Sequence, residues 1–336
     1  MTQFIGSMAH LIKHNKNSNG AQRPFVYSDY IDINVPSLVV LGGALTTDES
    51  RAMGYISHML GNIKNVSDVN IYAAVYEFGT VDPMLVKANV FRRAGRKMAL
   101  DMDATIARRK ELELNEINTT EPTPGYIEDL YEIIFEPRII RDNPTATAKN
   151  MGNMVLYSHC HGAIVVNMLA DMATRHMQSA GFDKATINQC MANVIVIQHN
   201  PTAPLENAKF TTLNFMSASD DTLNFFDAFS KNVLWRDDIA PAYMGSDYAN
   251  VFIAGKLNRT NGSEHGFSVG YRDNGADLTP NGKVIFGAEQ NALNNAVNNM
   301  LSGIKTTDVE QLVAGHGIDV AQMRANGKEL LSKFSR

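Results

Sequence analysis

Apolar positions along this chain fall into two rhythms that alternate. Residues 36–41 form a short apolar run closed by Gly42-Gly43, the pattern of a strand buried on both faces. Thr46-Thr47-Asp48 then opens a helix whose Ala52, Ile56, Met59 and Leu60 share one face. A second strand is expected over 69–78. The alternation resumes with an apolar strand up to His159, a helix over 164–178, and strands over 193–198, 212–216 and 250–254. Helices over 288–301, 308–313 and 320–334 close the chain. Strand–helix–strand alternation predicts an α/β fold with a doubly wound, mostly parallel sheet.

Two stretches break the rhythm. Residues 1–24 are polar and Asn-rich and read as a loosely held N-terminal arm, followed by strand-like alternation over 25–34. Residues 83–150 are helical and charged, with Phe91-Arg92-Arg93-Ala94-Gly95-Arg96-Lys97 and Arg108-Arg109-Lys110-Glu111, then apolar-periodic Ile127, Leu130, Ile133 and Ile134. That length exceeds a crossover connection, so the segment is expected to be a helical insertion, a cap or lid. Residues 25–336 are thus read as one domain, with 83–150 inserted and 306–336 as C-terminal helices.

Composition narrows the class. With 336 residues, 44% of them hydrophobic, the chain can bury a large core. A net charge of −5 offers no footprint for nucleic acid. The two cysteines, Cys160 and Cys190, do not make a disulfide scaffold, although a single bridge between them is conceivable. No run approaches the ~20 apolar residues of a membrane span, and the first residues lack signal-peptide flanks. The expectation is a cytoplasmic protein; export by a route without a signal would leave the same composition.

Candidate chemistry centres on Met154-Val155-Leu156-Tyr157-Ser158-His159-Cys160-His161-Gly162-Ala163. An apolar strand runs into a small-x-nucleophile-x-Gly turn, and an apolar helix follows at once. Such a turn needs small flanking residues, exposes the central side chain above the sheet, and places it at the positive end of the helix. A thiol there has its thiolate stabilised by the dipole and free N–H groups, which suits attack on a carbonyl carbon. A metal reading of His159, Cys160 and His161 is disfavoured, because adjacent residues at a strand end point in opposite directions. No metal or other cofactor is expected.

The turn resembles the nucleophile elbow of the α/β-hydrolase superfamily, with a cysteine as in dienelactone hydrolases. The resemblance implies a hydrolase-like fold and a chain order of nucleophile, acid, histidine. The loop Ser217-Ala218-Ser219-Asp220-Asp221-Thr222-Leu223 is similar to the family's acid loop, which makes Asp220 the acid and Asp221 its alternative. Glu264-His265-Gly266-Phe267 is similar to the histidine loop of dienelactone hydrolases, which makes His265 the base; His316 is the alternative, and His199 comes too early for this order. The oxyanion hole would use the backbone N–H of His161 and of Gly43 or Ala44. Ser158 departs from the family's first elbow glycine, and the acid-to-histidine spacing is long.

The function implied is acyl transfer to water from an ester, thioester or lactone, through Cys160 and an acyl-thioester intermediate. The alternatives are an acyltransferase with the same triad and a non-catalytic binding scaffold of hydrolase fold. The partner expected is a small-molecule acyl substrate. Its identity, the acyl acceptor and the oligomeric state leave no signature in one sequence.

Overall fold

The apolar runs become neighbouring strands of one sheet. The computed structural model of the chain describes residues 9–16, 24–43, 46, 48–76, 125–160, 162–201, 209–217, 249–254, 280–304, 308–315 and 317–334. Its strands are β1 (Ala9–His14), β2 (Phe25–Ser28), β3 (Ser37–Leu41), β4 (Asn70–Tyr76), β5 (Met154–His159), β6 (Ile195–His199), β7 (Thr211–Ser217) and β8 (Ala249–Ala254). The described helices are α1 (Glu49–Asn62), α2 (Gly125–Ile134), α3 (Pro144–Gly152), α4 (Gly162–Ser179), α5 (Lys184–Ala192), α6 (Pro280–Leu301), α7 (Val309–Val313) and α8 (Val320–Phe334).

The strand order is β2-β1-β4-β3-β5-β6-β7-β8. β4-β3-β5-β6-β7-β8 run parallel, while β1 is antiparallel to both β2 and β4. The fold is therefore α/β, with a mostly parallel sheet covered by helices on both faces. Central strands β3, β4 and β5 are buried along their whole length, as expected of parallel strands roofed twice.

The alternation of side chains divides the core in two. Val39, Leu41, Leu156 and Val196 face a layer that includes Ile127 and Leu130 of α2, Met151 of α3, Leu169 of α4 and Ile187 of α5. Leu38, Val40, Val155, Tyr157 and Ile197 face Ile56 and Met59 of α1 and Ala288 and Ala292 of α6. Helix α1 begins where the sequence places it: the Asp48 carboxylate accepts the Arg51 backbone N–H at 3.0 Å, a side-chain N-cap.

The parallel part of the sheet starts with β3, which takes β4 on one side and β5 on the other. The carboxyl ends of β3 and β5 therefore flank the topological switch point, where α/β sheets open a crevice.

One expectation differs from the structure. Residues Ala9–His14, assigned by sequence to the loose arm, are β1, inserted between β2 and β4 with Ala9, Leu11 and Ile12 buried. Backbone pairing on both sides holds this strand, and its polar His10, Lys13 and His14 hide that from composition. The described end of the 83–150 segment, α2 and α3, packs on the sheet as part of one helical layer; residues 77–124 lie outside the described residues. Helix α5, capped by Asp183 through the Thr186 N–H, has no counterpart in the sequence reading. Cys160 and Cys190 are both free thiols. Among the described residues, no helix is long and apolar enough to cross a membrane.

Candidate functional site

β5 ends at His159, and the chain reverses into α4 within three residues. Cys160 makes that reversal with φ of +51°, a left-handed conformation that costs an ordinary L-residue roughly 1–2 kcal/mol. The surroundings hold it there. The Cys160 N–H donates to the His199 carbonyl at 3.1 Å, and the Cys160 carbonyl accepts the Ala163 N–H at 3.1 Å. Gly162 permits the turn to close, because a Cβ at that position would overlap the backbone carbonyl of Leu41 in β3. Cys160 is thus fixed between the ends of β3 and β6, ahead of the first turn of an 18-residue helix whose dipole is positive at this end. Its residue is 7% exposed.

The loop after β3 lies against the elbow. A Cβ built on Gly43 would stand 3.4 Å from the Cys160 Cβ and 3.2 Å from His159 Nδ1, so glycine allows the close approach. The Gly43 N–H donates to the Tyr55 hydroxyl at 3.1 Å. That hydroxyl also lies 2.7 Å from His159 Nδ1 and interacts with the Thr46 side chain. Burial raises the Tyr55 phenol far above its ordinary range, and burial does the same to Tyr76, so both keep their protons at neutral pH. Tyr76 donates to the Gly42 carbonyl. Two phenols therefore pin the Gly42-Gly43 loop on one side and its elbow neighbour on the other.

A second buried polar group lies one strand away. His199, in register with His159 across β5 and β6, has its ring centroid 5.3 Å from that of His159. Its Nδ1 is 2.6 Å from Oε1 of Glu289 on α6, with the two side chains 3% and 2% exposed. The Tyr157 hydroxyl donates to the other carboxylate oxygen at 3.5 Å. His58 of α1 belongs to the same polar layer: burial first, and the charge of His199 second, push it down to about 4.

Of the residues singled out from sequence, Cys160 and Gly43 are brought together. His161, Ala44, Asp220, Asp221, His265 and His316 lie outside the described residues. Strands β7 and β8, the described strands that precede Asp220 and His265 in the chain, run parallel to β5. Their carboxyl ends, at Ser217 and Ala254, consequently fall on the same sheet edge as Cys160. Tyr55, His199 and Glu289 were not singled out as site residues. Glu289 did carry a signal, a carboxylate on the apolar stripe of Ile285, Ala288, Ala292 and Ala296.

A cleft of about 720 Å³ opens at the opposite, amino-terminal edge of the sheet, lined in part by Asn34, Asn150, Asn153, Asn193 and Cys190. Its amides serve the fold: Asn153 donates to the Ile33 carbonyl at 2.8 Å and Asn193 to the Ala148 carbonyl at 3.0 Å. Left-handed Cys160, the close-approach Gly43, and buried His159 and His199 all sit at the other edge. A search of protein-family models finds no match to this chain, and a search of curated proteins finds none either.

Proposed function

We propose that this chain is a cysteine-dependent acyl-transfer hydrolase of α/β-hydrolase type, acting on an ester, thioester or lactone. The observation that carries the reading is the left-handed Cys160 between β5 and α4, at the switch point of the sheet, with Gly162 closed against Leu41. A buried cysteine with a purely packing role has no need of a strained backbone. Further support comes from the parallel strands β7 and β8, whose carboxyl ends, the last described residues before Asp220 and before His265, lie on the same edge.

In this mechanism His265 takes the Cys160 thiol proton, and Asp220 orients the ring and stabilises the imidazolium. The thiolate attacks the acyl carbonyl carbon, and the tetrahedral oxyanion forms beside the start of α4. One donor to it is the His161 N–H. The Gly43 N–H already donates to Tyr55, so the second donor is assigned to the Ala44 N–H, with Gly43 allowing the close approach. Collapse of the oxyanion breaks the bond to the leaving group, which takes the proton from His265. Water, deprotonated by His265, then attacks the acyl-thioester, releasing the acid and restoring the thiol. A thiolate leaves readily, which favours activated esters and thioesters over amides.

The test is steady-state hydrolysis of p-nitrophenyl esters from acetyl to long chain by wild type, Cys160→Ala and His265→Ala. Turnover is expected to vanish in the first variant and to fall by at least ~10² in the second. Turnover that survives Cys160→Ala overturns the proposal.

A further inference from the structure

Tyr55 sits on the buried stripe of α1 with Ala52, Ile56 and Met59, where packing against the sheet asks only for an aromatic ring. Its hydroxyl is the part that packing does not explain. A buried hydroxyl costs free energy unless it is hydrogen-bonded, and this one has three partners. It accepts the Gly43 N–H at 3.1 Å, lies 2.7 Å from His159 Nδ1, and bonds to the Thr46 side chain. All three partners belong to the two segments that meet at Cys160. Gly43 and Thr46 lie between β3 and α1, and His159 is the last residue of β5 before the elbow.

The loop after β3 is held at several points. The Thr46 N–H donates to the Gly43 carbonyl at 2.9 Å, so the two ends of this four-residue segment are bonded to each other as well as to Tyr55. The Tyr76 N–H donates to the Thr46 carbonyl at 3.4 Å, and the Tyr76 hydroxyl donates to the Gly42 carbonyl. Tyr76 is itself stacked on Tyr126, with ring centroids 5.6 Å apart. Tyr55 belongs to the core layer of α1 and α6, and Tyr76 to the layer that holds Cys160. The loop is therefore gripped from both faces of the sheet.

The two glycines record what each grip requires. A Cβ on Gly42 would come within 2.7 Å of the Tyr55 ring and would overlap the Thr46 side chain, whereas a Cβ on Gly43 would stand 3.4 Å from the Cys160 Cβ. Gly42 thus makes room for the Tyr55 ring, and Gly43 lets the held loop lie against the elbow. A loop tied at this many points meets a developing charge without first being reordered, which is the condition for strong stabilisation of an oxyanion.

We propose that Tyr55 is a positioning residue for acyl transfer at Cys160, its hydroxyl fastening both ends of the segment 43–46 to the elbow so that the backbone there is in place when the oxyanion forms. The inference rests on the proposed function, in which Cys160 attacks the acyl carbon and the Ala44 N–H is the second oxyanion donor. Tyr55 acts through Gly43 and Thr46 and exchanges no proton with the substrate.

The experiment compares two reactions of the same thiol. In acylation by p-nitrophenyl acetate the sulfur bonds to the carbonyl carbon and an oxyanion forms; its collapse breaks the carbon–oxygen bond and releases p-nitrophenolate. In alkylation by iodoacetamide the sulfur bonds to the methylene carbon, the carbon–iodine bond breaks and iodide leaves, with no oxyanion. Both rates are read at Cys160 by rapid quenching and peptide mass spectrometry at pH 7. Tyr55→Phe keeps the ring and removes the hydroxyl. It should slow acylation by at least about tenfold, as a displaced oxyanion donor does, and leave alkylation within about twofold of wild type. Tyr131→Phe removes a phenol of the same kind, 2.6 Å from His176 Nδ1, and should change neither rate by more than about twofold. Circular dichroism establishes that each variant is folded, and should Tyr55→Phe fail to fold, Tyr76→Phe, which frees the Gly42 carbonyl, carries the same test. Acylation of Tyr55→Phe within about twofold of wild type overturns the inference, as does an equal slowing of both reactions or a slowing that Tyr131→Phe reproduces. Wild type that iodoacetamide alkylates at Cys160 and p-nitrophenyl acetate leaves unacylated overturns the proposed function, and the inference with it.

Discussion

Replacing Cys160 by glycine and by alanine gives two variants whose order of stability reports the backbone of the elbow. At φ of +51° a Cβ costs roughly 1–2 kcal/mol, and alanine keeps that cost while glycine removes it. Glycine gives back about 0.4–1 kcal/mol through the greater freedom of its unfolded chain. The balance favours Cys160→Gly over Cys160→Ala by roughly 0.5–1 kcal/mol. At an ordinary strand end the order reverses, because the strain is absent and the entropic term alone remains. Urea unfolding followed by far-UV circular dichroism, with both variants in one series and a shared slope, resolves a difference of this size. Cys160→Ala measured as the more stable variant would refute the strained turn, and with it the geometric basis for a reactive thiol.

Three further outcomes follow from the same geometry. Gly162→Ala forces a Cβ into the Leu41 carbonyl, a backbone atom that cannot rotate away, and should destabilise the protein by about 2–3 kcal/mol in urea; a loss under about 0.5 kcal/mol contradicts the close approach of α4 to β3. Tyr55→Phe removes the hydroxyl that joins the Gly43 N–H to His159 Nδ1 and should cost about 1–3 kcal/mol. His58, lowered from 6.5 to about 4 by burial and then by the His199 charge, binds its proton more tightly in the unfolded chain. Its contribution makes stability fall as pH drops from 6.5 towards 4, by up to roughly 3 kcal/mol, and leaves stability level above that window. His10 and His14 are lowered too, by burial first, and act in the same direction. A His58→Asn variant should therefore show a shallower loss of stability on acidification, and an unchanged slope contradicts the burial of a neutral imidazole.

The parts of the fold legible in the sequence are those whose signal is local. β3, β5, β6, β7 and β8 are apolar runs bounded by turn residues, and each strand lies within a residue or two of its expected place. The elbow was legible because every requirement of a strand-to-helix reversal is met within ten consecutive residues. β1 was hidden because its order comes from pairing with β2 and with β4, some sixty residues further on, and its own polar residues resemble an arm. The His199–Glu289 contact spans 90 positions in the chain, beyond the reach of any periodicity. Chain order set His199 aside as a catalytic base, and that rule says nothing of its contact with Glu289. Gly43 was picked out as a candidate oxyanion donor, but its engagement by Tyr55 depends on how α1 packs on the sheet, which spacing does not encode.

The central claim is that Cys160 carries the acyl group, and trapping the acyl-enzyme tests it most directly. Wild type mixed with p-nitrophenyl acetate, quenched in acid within the first turnovers and mapped by peptide mass spectrometry, should carry one acetyl group on the peptide containing Cys160. The adduct should be labile to hydroxylamine, as a thioester is, and absent from Cys160→Ala. Hydrolysis in which the acetyl group is found on another residue, or which proceeds undiminished in Cys160→Ala, contradicts the account.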